Sequence, residues 1–293
     1  MRHHVHTAVV AAVVAGLVTF FLPRPAGLPA APPTASSPGK ETAYDRVMRT
    51  GVLRCGYIVW PPTLSRDVNS GKLSGIMVDY MEEMARRLQL KVEWAHEMNL
   101  TTFLQDLNNG KFDVECSGGW PNALRGKQAT YTKPMFYFPL YAAVRADDHR
   151  FDNNYNAINS PDVRVVTWEG ETSAMIRSLR FPQSQAVVVP SSMSPGEIML
   201  NVVTNKADVT IQDYAALANF EKNNPGQLRQ VEGGPLRVIP YNLTVPLGDF
   251  KLQQMLNVAA DELAFDGVVN DILDKYEAVP GTYLRIAPPY EAK

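Results

Sequence analysis

The chain has 293 residues, 45% hydrophobic and 20% charged, which exceeds one small core and suffices for two modest lobes. A formal charge of -2 gives no sign of the basic surface through which proteins hold nucleic acid or an anionic membrane, and neither is expected as a partner. His3, His4 and His6 lie at the extreme N-terminus and His96 and His149 stand alone, so no metal site and no cofactor is expected.

Arg2 precedes an uncharged run from Thr7 to Leu22 that ends at Pro23-Arg24-Pro25. That is the pattern of a secretory signal peptide or an uncleaved N-terminal anchor over residues 1–25, and it places the body outside the cytoplasm, in the periplasm. The nearest approach to a cleavage site is Leu28-Pro29-Ala30, and no cysteine precedes Cys55, so a lipid-modified N-terminus is not expected. Residues 26–43 are mostly Pro, Ala, Ser and Gly, a linker with little to bury, and folded structure is expected from about Tyr44. Cys55 and Cys116 sit in apolar runs. An exported protein can bridge them, but two buried thiols would serve equally as small hydrophobes, and the sequence leaves the choice open.

The body opens with a strand expected over 53–57 and a loop at Trp60-Pro61-Pro62. Met77, Met81, Met84, Ala85 and Leu88 then recur at helical spacing. A strand over 91–94, a helix over 102–108 closed by Gly110 and a strand over 112–116 complete a β-α-β-α-β run, the mark of a parallel sheet. The alternation restarts with a strand over 163–167, a helix over 172–179 and a strand over 186–189. Ser194-Pro195-Gly196-Glu197 has the form of a capping box opening a helix to 204. A strand over 207–211 and a helix over 214–223 follow, with terminal helices over 251–265 and 268–276. Two such units in succession imply two similar α/β lobes, whose strand ends form a shared cleft.

No nucleophile elbow, phosphate loop, dinucleotide fingerprint or His-Glu-x-x-His occurs, so no catalytic residue is assigned. Three polar features fall at strand ends. Arg125 follows the loop Ser117-Gly118-Gly119-Trp120-Pro121-Asn122, and Asp213 directly follows a strand. Gly170-Glu171-Thr172 immediately precedes a helix, where backbone N–H groups receive an anion. A guanidinium suits a carboxylate, and an aspartate suits an ammonium. Singly, each reads more readily as a surface charge or a helix cap; their common placement at strand ends is what points to a site. Trp60, Trp120 and Trp168 also lie in loops after strands, either covering the cores or forming a stacking wall.

The order of several short motifs resembles the bacterial extracellular solute-binding proteins of family 3, the type II periplasmic binding proteins of amino-acid ABC transporters. They are Gly51-Val52-Leu53-Arg54 with Pro61-Pro62, Gly71 to Asp79 (GKLSGIMVD), Gly110 to Val114 (GKFDV), Tyr131 to Tyr137 (YTKPMFY) and Asp266-Gly267. The resemblance covers about residues 44–276. It implies a two-lobed Venus-flytrap α/β fold, each lobe a mainly parallel sheet flanked by helices, with lobe one at 44–135 and 241–293 and lobe two at 139–238. By the same resemblance Arg125 clamps the α-carboxylate of a ligand and Asp213 its α-ammonium. Gly170 and Thr172 complete the carboxylate cradle, and Trp60 stacks on the ligand. The implied partners are an amino-acid-like solute and an inner-membrane ABC permease, with the protein acting as a monomer.

Trp120 and Asn122 stand where the family usually has threonines, and Trp168 adds bulk, so a shifted pocket for an aromatic, aliphatic or N-substituted ligand is expected. The segment after Val279 passes the family's usual end and receives no function. The alternatives are a cyclohexadienyl (prephenate or arogenate) dehydratase on the same fold and an accessory or sensory binder that feeds no permease.

Overall fold

The computed structural model of the protein describes residues 41–287; the leader and all but the last residues of the expected linker lie outside them. Order begins slightly earlier than expected. Thr42 accepts a hydrogen bond from the Asp45 N–H and caps a helix, Ala43–Thr50 (α1), which ends at Gly51 with φ 68°. This cap makes residue 43 part of the body rather than of the linker.

The strands are β1 (Val52–Tyr57), the short pair β2 (Ser65–Arg66) and β3 (Leu73–Ser74), β4 (Lys91–Glu97), β5 (Val114–Gly119), β6 (Ala129–Tyr131) and β7 (Phe136–Arg145). There follow β8 (Arg164–Trp168), β9 (Gln185–Val189), β10 (Val209–Asp213), β11 (Leu228–Gln230) and β12 (Arg237–Pro246). Beyond α1, the helices are α2 (Ile76–Arg87), α3 (Phe103–Asn108), α4 (Thr172–Arg180), α5 (Pro195–Val203), α6 (Tyr214–Asn223), α7 (Phe250–Phe265) and α8 (Val268–Tyr276).

The main sheet runs β4-β1-β5-β12-β7-β10-β8-β9, with β6 on β12 and β11 on β7. Its two ends, β4-β1-β5 and β10-β8-β9, are each parallel, as the β-α alternation implies. The long strands β7 and β12 join them. The first half of β12 pairs with β7, from Arg237 on Leu140 to Tyr241 on Phe136, and its second half moves on to β5 and β6. Every connection between the two parallel groups within the sheet therefore passes through this antiparallel pair.

Two strands begin later than their sequence pattern indicates, for the same reason. Asp113, expected inside β5, is buried and accepts from the Arg54 N–H at 2.8 Å and from the guanidinium groups of Arg54 and Arg46. Asp208, expected inside β10, accepts from the Arg164 N–H at 2.9 Å and from its guanidinium. In each group a carboxylate replaces a ladder bond just before the strand that adjoins the β7–β12 pair. Both strands then run further than expected, to Gly119 and Asp213, where β12 and β7 supply antiparallel partners.

Met77, Tyr80, Met81, Met84 and Ala85 form the buried face of α2, against which α7 and α8 pack. That assigns the terminal helices to the first group. The segment past Val279 returns to the joining strands: Leu284 exchanges backbone hydrogen bonds with Tyr137 on β7, and the buried ring of Tyr283 meets Phe136 and Phe138 edge-on.

Cys55 on β1 and Cys116 on β5 are bridged, with Cα atoms 5.3 Å apart and a sequence separation of 61. A closed loop of that length removes about 4 kcal/mol of chain entropy from the unfolded state. Replacing both cysteines by alanine is expected to lower the urea-derived unfolding free energy by up to about 4 kcal/mol. An unchanged midpoint and slope would contradict this.

Candidate functional site

The loop after β1 is a tight turn. Trp60 and Leu64 exchange backbone hydrogen bonds at 2.8 and 3.0 Å, and the Thr63 hydroxyl donates to the Trp60 carbonyl at 2.6 Å. Fixed in this way, the Trp60 indole reaches the other parallel group, where its Nε1–H donates to Asp213 Oδ2 at 3.2 Å. Asp213 ends β10 and caps α6, its Oδ1 accepting from the Ala216 N–H at 2.8 Å. It is 1% exposed, and loss of water raises its pKa above the ordinary value, against the pull of these hydrogen bonds.

Trp168, at the end of β8 and 3% exposed, stands edge-on to Trp60 with ring centres 4.6 Å apart. Trp120 meets Trp60 at 5.9 Å and Phe138 at 6.2 Å. The three tryptophans expected as a wall or core cover thus form one cluster spanning both groups. The indole N–H groups of Trp120 and Trp168 are buried without a hydrogen-bond partner.

Arg125 stands at the start of a short 3-10 turn, Arg125–Lys127. Asn122 shapes the approach, its Oδ1 accepting from the Leu124 and Arg125 N–H groups at 3.0 and 2.9 Å. The guanidinium donates to the Trp120 carbonyl at 3.0 Å and to the Gly170 carbonyl at 2.7 Å, and it lies 5.3 Å from the centre of the Phe103 ring. The Arg125–Gly170 bond is a second contact between the groups. Gly170 has φ 75°, a conformation natural to glycine, and turns the chain into α4.

At the start of α4 the geometry differs from an open anion cradle. Glu171 is the N-cap, and its own Oε2 takes the Ser173 N–H at 2.6 Å. The chain's carboxylate occupies part of the position expected to receive a ligand's. Glu171 Oε1 and the Thr172 hydroxyl are buried without partners.

Trp60, Trp120 and Arg125 line a cavity of about 60 Å³, with Glu115, Glu171 and Tyr241 among the other lining residues. Asp213, Trp168 and Gly170 stand one residue behind it, touching its wall through Trp60 and Arg125. Among the described residues no cluster of His, Cys, Asp and Glu is arranged to hold a metal ion.

Glu115 and Tyr241 were not singled out from the sequence. Glu115 interrupts an apolar run between Val114 and Cys116, the signal by which it was open to recognition. It is 2% exposed; the hydroxyls of Ser117 and Thr244 donate to its two oxygens at 2.6 and 3.2 Å, and burial pushes its pKa up to about 7. Tyr241, from β12, lies where a side chain at Gly118 would stand: a Cβ there would come within 1.9 Å of the ring. Its hydroxyl donates to the Ser117 carbonyl.

With this geometry in place, comparison with known proteins defines the class. Residues 53–278 match the bacterial extracellular solute-binding proteins, family 3, and the chain belongs to that family. It is 26% identical over 220 residues to a probable histidine-binding protein of Neisseria gonorrhoeae, covering 73% of this chain and 78% of that one. Against the cyclohexadienyl dehydratase of Pseudomonas aeruginosa it is 22% identical over 180 residues, 61% of this chain and 66% of that one. Among solved structures, a mutant of ArgBP from T. maritima superposes with a TM-score of 0.69 at 25% identity, over 81% of this chain and all of that one. The fold is the two-lobed solute-binding architecture, with β7 and β12 as the strands between lobes. No helix among the described residues is long and apolar enough to cross a membrane.

A carboxyl whose pKa is raised on folding holds its proton longer in the native state, so stability falls as pH climbs from the unfolded value toward the folded one. For Glu115 that window is about 4.5 to about 7, and the effect is on the order of 3 kcal/mol. The raised values of Glu171 and Asp213 act in the same direction. The melting temperature of the ligand-free protein is therefore expected to decline from about pH 5 to about pH 8, and Glu115→Gln is expected to flatten the decline. An identical profile in the variant would contradict the reading of Glu115.

Proposed function

We propose that the protein captures an amino-acid-like solute between its lobes in the periplasm and delivers it to an ABC-type permease, acting as a monomeric binder without turning the solute over. The lobes are taken as about 44–135 with 241–293, and 139–238. The observation that carries this reading is the meeting of strand-end polar groups from both lobes: Trp60 with Asp213, and Arg125 with Gly170. In the liganded protein Arg125 holds the carboxylate and Asp213 the ammonium, each exchanging a protein partner for a charged one. Asn122 sets the Arg125 backbone, Gly170 and Thr172 complete the second-lobe side, and Trp60, Trp120 and Trp168 exclude water. Charge-assisted hydrogen bonds contribute about 1.5–3 kcal/mol each, and with aromatic burial they suffice for micromolar affinity, about −8 kcal/mol. Only the closed state makes both sets of contacts, so the solute draws the lobes together.

In a thermal-shift panel of amino acids and related amines and acids, at least one zwitterion is expected to raise the melting temperature. At a concentration about a hundredfold above Kd the stabilisation is about 2.7 kcal/mol. Arg125→Ala and Asp213→Asn are each expected to abolish it; asparagine keeps the α6 cap, so the unliganded variant remains folded. A shift indifferent to both substitutions would overturn the assignment.

One observation favours a second reading, dehydratase chemistry: Glu115 lines the cavity and burial raises its pKa to about 7, the range that suits a general acid near neutral pH. Formation of an aromatic product from prephenate or arogenate, lost in Glu115→Gln, would decide for it.

A further inference from the structure

We propose that the solute carries a second cationic group, which Glu115 receives within the cavity with Glu171 as a further acceptor, so that Glu115 selects among amino-acid side chains. This rests on the amino-acid reading above and narrows it to basic amino acids and their amine- or guanidine-bearing relatives.

The argument is one of charge and burial. The charged side chains lining the cavity are Glu115, Glu171 and Arg125, and Asp213 stands directly behind Trp60. Three buried carboxyls thus face one guanidinium, and that guanidinium is engaged by two backbone carbonyls. Neither Glu115 nor Glu171 has an ion-pair partner among the described residues, whereas the buried Asp113 and Asp208 are each held by arginines. A carboxylate left buried without a cation is costly, and the cost is met by holding a proton or by admitting a cation. A simple zwitterion adds one charge of each sign and leaves the excess of carboxyls unchanged. A zwitterion with a further cation reduces it.

The open valences agree. Ionised Glu115 has about four acceptor positions; the hydroxyls of Ser117 and Thr244 and the Ser117 N–H use three, which leaves one open. Glu171 Oε1 is buried and unpartnered in the wall of the same cavity. On the donor side, Arg125 and the unpartnered indole N–H of Trp120, both in the cavity lining, suit the ligand's one carboxylate. The aromatic faces of Trp60, Trp120 and Phe103 add favourable surroundings for a cation. The other titratable groups acting on Glu115 are Arg125, which favours its ionisation, and the phenols of Tyr131 on β6 and Tyr241 on β12, both neutral near pH 7.

The test is calorimetry on the purified protein with two matched pairs: lysine against norleucine and arginine against citrulline. Wild type is expected to bind the cationic member of at least one pair about tenfold or more tightly than its neutral counterpart. The preference is expected to grow from about pH 6 to about pH 8 as Glu115 loses its proton. In Glu115→Gln the ratio is expected to fall close to one, with the neutral member's affinity kept within a few-fold. Equal binding of cationic and neutral members by wild type, or a preference that survives Glu115→Gln, overturns this inference while leaving the amino-acid reading in place. Failure of all four to bind overturns it too, and the wider zwitterion panel then decides separately on the amino-acid reading.

Discussion

The Trp60 indole crosses from the turn after β1 to the carboxylate that ends β10, and the geometry of the cleft follows from that reach. Asp213 is tied to α6 by its other oxygen, so the indole proton is held at the junction of a strand and a helix in the second lobe. Trp168 packs edge-on against the same indole from the end of β8, and Trp120 closes on it from its own lobe. One side chain thereby connects both lobes through a hydrogen bond and the ring contact with Trp168. On the proposed reading, a solute ammonium at Asp213 takes the place of that indole donor, an exchange of one donor for a stronger, charged one.

Everything that supports this contact lies at the ends of strands whose other ends are firmly anchored. Asp113 and Asp208 gather arginines at the beginnings of β5 and β10, far along the strand from the cleft, and the disulfide ties β1 to β5. The two parallel groups are anchored at their outer ends and are joined within the sheet through β7 and β12. The Tyr283 ring and the Leu284 backbone lie on β7 where it carries Phe136, Tyr137 and Phe138, so the C-terminal segment packs on the connection between lobes.

Much of this was legible in sequence, for definite reasons. The Ser194–Glu197 capping box, the helices at 214–223 and 268–276 and the β-α alternation depend on local periodicity and caps, and they stand in the structure where the residues indicate. The starts of β5 and β10 were misplaced because Asp113 and Asp208 exchange ladder bonds for side-chain bonds with distant arginines. The strand-end positions of Trp60, Trp120 and Arg125 indicated a common surface, and they do line one cavity. Their partners were not legible: Trp60 meets Asp213 across 153 positions, and Arg125 meets Gly170 across 45. Glu171 capping its own helix is a local event, yet residue type alone does not distinguish it from an exposed charge. Glu115 was the clearest overlooked signal, a charge inside an apolar strand.

The most direct test is to watch the Trp60 indole proton. In nitrogen-15 correlation spectra the four tryptophans give separate indole signals, and Trp94, on β4 and away from the cleft, serves as the internal reference. The account predicts that Asp213→Asn shifts the Trp60 signal, that a bound solute shifts it in wild type, and that Trp94 stays unmoved. A Trp60 signal unaffected by the substitution and by a saturating solute would mean that the contact does not hold the cleft, and that the solute binds elsewhere.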